Sequence, residues 1–368
     1  MALSVTMDLI DESKTRSSRA RDCDQQHALG GSDSDSSELQ PRPSISPSGQ
    51  SATSNELSPC EISVLHAKDY TPALQRVIQH IHGLSDGTTH IQHWQEFSLS
   101  ADDFEILQEL VARNEFGFQI LRFDYSADEQ IFILRMTPDV VHSVYRSELE
   151  FYLRTQLALI PTRNGVSPAA ADFAAGVSCF GDGTFKYPST RPGVQTYNSK
   201  SPDCWFGHES RYHPSFVIEV ANSQSTKSLE RLAEQYLLET NADVRTVVGI
   251  DLDYNDKTRA TVSVWRPRLD NGGSVVGVMC ESLDTRISGG QTNVDPDSGL
   301  RLSLEDFAFA RESGVFDNLD EVHIFLSAQL LCNILEKAER LQRGMVNRES
   351  ALNPLLATLQ PNLSMATT

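Results

Sequence analysis

Ser201-Pro202-Asp203-Cys204-Trp205-Phe206, then a turn, then Phe216-Val217-Ile218-Glu219-Val220-Ala221: these two runs decide how the chain reads. Each is short and apolar, and each carries one acid. Asp203 stands at the head of the first run and Glu219 in the middle of the second, sixteen positions apart. With a turn between Gly207 and Pro214, that spacing predicts neighbouring strands with two carboxylates side by side. An Asp ahead of a strand commonly serves only as a turn or cap residue. Glu219 is different, because a carboxylate inside FVIEVA is costly to bury without a cation or hydrogen-bond donors. Either it lines a site, or it forms a structural ion pair, for which Arg211 and Arg245 are the nearby partners.

Working outward, FVIEVA and Val244 to Ile250 are almost wholly apolar, as central strands covered on both faces are. The helix STKSLERLAEQYLLET lies between them, so the spacing predicts a right-handed parallel crossover. ATVSVWRP adds a further strand. Upstream, TPALQRVIQHIHGL sets Leu74, Val77, Ile78 and Ile81 on one helical face. SADDFEILQELVARNEF opens on Ser100 as N-cap, and FGFQILRFDY and QIFILRM read as a hairpin. TPDVVHSVYRSELEFYLRTQLALI reads as a long helix with Pro138 in its first turn. Residues 161–200 read as a loop around the single strand VSCFGD. GLRLSLEDFAF reads as a final edge element, and HIFLSAQLLCNILEKAERLQR as an amphipathic C-terminal helix.

The expected organisation is one α/β domain over residues 60–345, a central mixed sheet flanked by helices, between two disordered ends at 1–58 and 346–368. The N-terminal stretch is dominated by Ser, Asp, Gln and Pro and buries too little apolar surface to offset its chain entropy. Across 368 residues the net charge is -19. That balance argues against coating nucleic acid by bulk electrostatics, while leaving room for local contact through a bound divalent cation. Cysteines at 23, 60, 179, 204, 280 and 332 form no C-x-x-C pair, which fits reduced, structural thiols. MALSVTMDLIDESK lacks a cationic start, and no run of about 18 apolar residues occurs, so neither a secretory signal nor a membrane span is expected. An intracellular protein follows from that reading.

The order of these pieces resembles the PD-(D/E)XK nuclease superfamily, in particular its restriction-endonuclease-like branch. The resemblance covers about residues 115–310. It is carried by the hairpin into Met136-Thr137-Pro138 and His142, by Pro202-Asp203, by Glu219-Val220-Ala221-Asn222-Ser223-Gln224-Ser225, by the helix ending at Tyr236, by Val244 to Asp251, and by Leu300 to Asp306. It implies a restriction-endonuclease-like fold. It also implies a Mg²⁺ (or Mn²⁺) site built from Asp203, Glu219 and the backbone carbonyl of Val220, with Glu148 as an accessory acid. Such an ion would polarise a phosphodiester of DNA or RNA and generate hydroxide near neutral pH.

Ala221 breaks the pattern, for the family carries lysine there. Lys227 and Arg231 on the following helix are the nearby replacements. Arginine can stabilise developing phosphorane charge but cannot act as a base. Two functions follow: a Mg²⁺-dependent nuclease acting on nucleic acid, or a catalytically inactive nuclease-fold module that binds a protein partner through its C-terminal helix.

Overall fold

In the computed structural model, the described residues run from 70 to 359 apart from 86–87, 89–93, 117–121, 136–138, 191–195, 212, 222–225, 253–258, 288 and 310–317. All belong to a unit spanning Leu65–Thr368. The expected N-terminal tail lies outside them, as do Met136-Thr137-Pro138 and Asn222 to Ser225. The unit is mixed α/β, with six α-helices described and two large sheets.

The N-terminal part forms α1 (Pro72–Ser85), β1 (Trp94–Ser98), α2 (Ala101–Ala112), β2 (Arg122–Ser126) and β3 (Ile131–Arg135). The Ser100 hydroxyl caps α2 by accepting from the Asp103 N–H at 3.2 Å. Leu74, Val77 and Ile81 from α1 and Phe104 and Leu107 from α2 pack with Tyr125 and Phe132 in one apolar cluster. Two later strands join this layer, β5 (Phe185–Pro188) and β6 (Tyr197–Lys200), giving an antiparallel sheet in the order β1-β3-β2-β6-β5.

α3 (Val140–Leu159) begins at Asp139, whose carboxylate accepts from the His142 N–H at 2.8 Å. The second sheet then gathers β4 (Val177–Gly181), β7 (Cys204–His208), β8 (Phe216–Ala221), β9 (Thr246–Leu252), β10 (Ala260–Leu269), β11 (Val275–Ile287) and β12 (Gln291–Thr292), in the order β12-β11-β10-β9-β8-β7-β4. Only β8 and β9 run parallel, joined through α5 (Thr226–Glu239), so the sheet is mixed. Its alternating side chains separate two cores. Phe216, Ile218 and Val220 pack with α3, while Val217 and Ala221 pack with Leu229, Leu232 and Tyr236 of α5.

Four departures from the sequence reading have local causes. Residues 161–200 are not a loop around one strand. They hold α4 (Pro168–Gly176), capped by the Ser167 hydroxyl on Ala170 N–H, followed by β4, β5 and β6. The frequent Gly, Pro and Ser there mark the tight connections between short elements. β1 and β11 were missed, the first a five-residue edge and the second a long polar strand exposed over much of its length. The HIFLS stretch does not start the C-terminal helix. It is β14 (His323–Ser327), with Ile324 and Leu326 buried in alternation, paired to β13 (Gly299–Ser303). Finally, α6 (Ala328–Leu359) runs past the expected boundary at residue 345.

Candidate functional site: a buried carboxylate pair

The chain leaves the first sheet at Lys200, the end of β6, and enters the second at Cys204, the start of β7. Ser201-Pro202-Asp203 is that crossing. The β7/β8 register pairs Cys204 with Ile218, so one step earlier Asp203 falls opposite Glu219. The two carboxylates therefore meet as expected, and both are almost sealed from solvent, at 2% and 1% exposure. Glu219 in turn lies beside Gly249 of β9. A Cβ at Gly249 would come within 2.5 Å of Trp265 and 2.8 Å of Leu229, so this position needs the bare backbone.

What surrounds the pair was not foreseen. Arg122 and Arg135 stand directly opposite each other across β2 and β3. Two guanidinium groups so placed repel, and acids between them remove the penalty. Arg135 binds Glu219 in the two-pronged manner that suits its planar fork, at 2.6 Å to Oε2 and 3.2 Å to Oε1. Arg122 bridges the pair, donating to Asp203 Oδ1 and lying 3.4 Å from Glu219 Oε2. His142 Nε2 reaches Asp203 Oδ1 at 2.9 Å, the Val220 N–H donates to Asp203 Oδ2 at 2.6 Å, and the Tyr236 hydroxyl donates to Glu219 Oε1 at 2.7 Å. All four carboxylate oxygens thus face donors. Asp124 adds a third acid, 3.6 Å from Arg135, and its other oxygen accepts from the Ser201 N–H at 2.8 Å. Both arginines also donate to the Ser201 carbonyl, at 2.8 to 3.1 Å.

Electrostatics follow from burial set against these partners. Burial alone would raise Asp203, but Arg122 and His142 outweigh it and hold the carboxyl well below its usual range. For Glu219 burial prevails over Arg135, with Asp203 adding to it, and its proton is held more tightly than usual. Burial disfavours the charge on Arg135, yet Glu219 and Asp124 keep it firmly protonated. Burial and the neighbouring Glu219 and Asp124 carboxylates likewise keep Tyr236 a neutral donor.

The remaining expected site residues lie elsewhere or go undescribed. Glu148 pairs with Lys337 of α6 at 2.8 Å, so its helix turns it away from Asp203 and Glu219. His142, six residues earlier on α3 and so on a different face of the helix, is the side chain that reaches Asp203. Arg231 is half exposed and pairs with Glu96 and Glu129 at 3.2 and 3.7 Å. Lys227 sits in the first turn of α5, and its side chain is outside the described residues. Val220 enters through its N–H rather than its carbonyl. Arg211 and Arg245, the expected structural partners of Glu219, are engaged instead with the Phe309 ring and Glu305.

As arranged, this donor set does not fit Mg²⁺ or Mn²⁺. Such an ion needs carboxylate oxygens free to bind at about 2.1 Å, and here the position between Asp203 and Glu219 is taken by a guanidinium. A signal for Arg135 existed in the sequence: IFILR carries it at the end of an otherwise apolar strand, where a lone cation is as costly as a lone acid, whereas Arg122 in the more polar RFDYS gave none. Comparison of the chain with protein-family models, with curated proteins and with solved structures finds no match.

Proposed function

We propose that the chain is a catalytically inactive, nuclease-like α/β module that acts by binding a protein partner. One observation carries the reading: every oxygen of Asp203 and Glu219 is engaged by a donor of the protein itself, with Arg122 and Arg135 where a divalent cation would have to stand. A buried acid pair neutralised in this way is a structural fastener, because removing either sign strands the other in a low-dielectric interior. Ala221 in place of lysine points the same way. So does Arg231, the candidate replacement, which is spent on exposed acids of the first sheet and its hairpin. The partner-binding surface is the outer part of α6, where Leu341, Met345 and Val346 stand about half exposed within six residues of helix.

The test is a cleavage assay of the purified chain on mixed single- and double-stranded DNA and RNA with Mg²⁺ or Mn²⁺, beside Glu219→Gln. No metal-dependent cleavage is expected from either protein. Cleavage by the wild type that disappears in Glu219→Gln would restore the nuclease reading and overturn this one.

A further inference from the structure

On the other face of β7, one residue from Asp203, a different cluster forms. Among the described residues one trio of metal-capable side chains converges: Glu150 of α3, Cys179 of β4 and Cys204 of β7, their ligand atoms all within 4.8 Å of one another. Both thiols are free, and the two sulfurs are 3.4 Å apart. Cys204 is fully buried, whereas Glu150 and Cys179 line a groove of about 770 Å³ together with Arg154, Thr155, Ala158 and Ser178.

We propose that Glu150, Cys179 and Cys204 form a site for a soft divalent cation, of which zinc is the natural choice, with its fourth coordination position opening into this groove. Tetrahedral zinc binds sulfur at about 2.3 Å and carboxylate oxygen at about 2.0–2.2 Å, which places ligand atoms roughly 3.5–3.8 Å apart. The trio already stands near that spacing, so small side-chain rotations complete it. Three protein ligands with one open position is the arrangement of zinc sites that retain a water. Two thiolates set against one carboxylate select zinc over the hard cations Mg²⁺ and Ca²⁺.

The protons are accounted for. In the metal-free protein the two thiols sit in hydrogen-bond contact with each other, 3.4 Å between sulfurs. Metal entry forms two metal–sulfur bonds and releases both thiol protons to solvent. Glu150 exchanges its two long contacts, 3.4 Å each to Arg146 and Arg154, for the ion. A disulfide between the same sulfurs would require an oxidant and would leave Glu150 only its long arginine contacts, whereas an ion engages all three converging groups. The site is independent of the role assigned to Asp203 and Glu219.

The experiment is titration of the reduced full chain with Cd²⁺ as spectroscopic probe, following the thiolate-to-cadmium absorption in the ultraviolet. One equivalent should bind saturably, be displaced by Zn²⁺, and resist a large excess of Mg²⁺. Cys179→Ser should abolish the signal and Glu150→Gln should weaken binding at least tenfold, while Cys280→Ser, at an exposed thiol of β11, should leave it unchanged. Glu150→Gln and Cys179→Ser act at partly exposed positions, so the result stands even where Cys204→Ala fails to fold. No saturable absorption at one equivalent would overturn the assignment. So would a signal that survives Cys179→Ser, or a reduced pair that binds no cadmium and forms a disulfide in air.

Discussion

Replacing Arg135 with methionine tests the assignment of the carboxylate pair most directly. Arg135 supplies two bonds to Glu219, at 2.6 and 3.2 Å, a bond to the Ser201 carbonyl at 3.1 Å, and the 3.6 Å pairing with Asp124. Without it, Glu219 keeps the Tyr236 hydroxyl and a 3.4 Å contact to Arg122, while Asp124 Oδ2 has no hydrogen-bond partner to fall back on. Methionine fills much of the vacated volume, so the cost is chiefly that of two buried acids losing their cation. Breaking a buried pair from one side costs about 3–5 kcal/mol. In urea, with a slope near 3 kcal/mol/M for a domain of this size, the midpoint should fall by about 1–2 M. Arg113→Met is the control: its partner Glu109 and Arg113 itself are 64% and 42% exposed, and such a pair is worth about 1 kcal/mol or less. Combining Arg135→Met with Glu219→Gln should cost less than the two changes summed, by about 0.5–3 kcal/mol, because each leaves the other's charge uncompensated. If Arg135→Met costs no more than Arg113→Met, or the double change is additive, the network is not the fastener described.

Two further outcomes follow from the same region. Gly249→Ala should destabilise the domain by about 1–3 kcal/mol in urea unfolding, since its methyl would overlap Trp265 and Leu229; a neutral result would mean that the sheet yields there more readily than its packing implies. The depressed Asp203 carboxyl contributes stability that is fully present well above the unfolded value of about 3.9 and is lost as pH falls through the lower folded value, whereas the raised Glu219 contributes in the opposite sense, on the low-pH side, and loses that contribution as pH rises past about 4.3. Melting temperature recorded from about pH 5 downward should therefore drop more steeply for the wild type than for Asp203→Asn, and parallel curves would contradict the coupling to Arg122 and His142.

Much of this architecture could be read in advance, for identifiable reasons. The amphipathic helices carry their own periodicity, and FVIEVA with the strand after α5 is apolar enough to admit little but a central parallel pair. The opposition of Asp203 and Glu219 was legible because a two-strand register depends only on local spacing. Their charge partners were not. Arg122 and Arg135 come from a hairpin nearly a hundred positions before Glu219, and its docking against the second sheet depends on how the two sheets meet, which no periodicity encodes. Glu148 and His142 show the limit in small: both lie on α3, and helical phase alone could not say which faced the strands and which faced α6. Short strands such as β5 and β6 were hidden for another reason. Four residues among glycines and prolines give too few alternations to stand out from a loop.

The crossing at Ser201 carries a consequence for how the protein comes apart. Its backbone is gripped on both sides, the carbonyl by two arginines and the N–H by Asp124, and all three side chains belong to the first sheet, while Asp203, two residues on, is tied to β8 of the second. Neither sheet can loosen there without stranding charge that belongs to the other. The two layers, which also share an apolar cluster where Phe185 and Tyr187 of β5 meet Trp205 and Tyr236, are thereby made to melt as a single cooperative body rather than as two foldons joined by a linker.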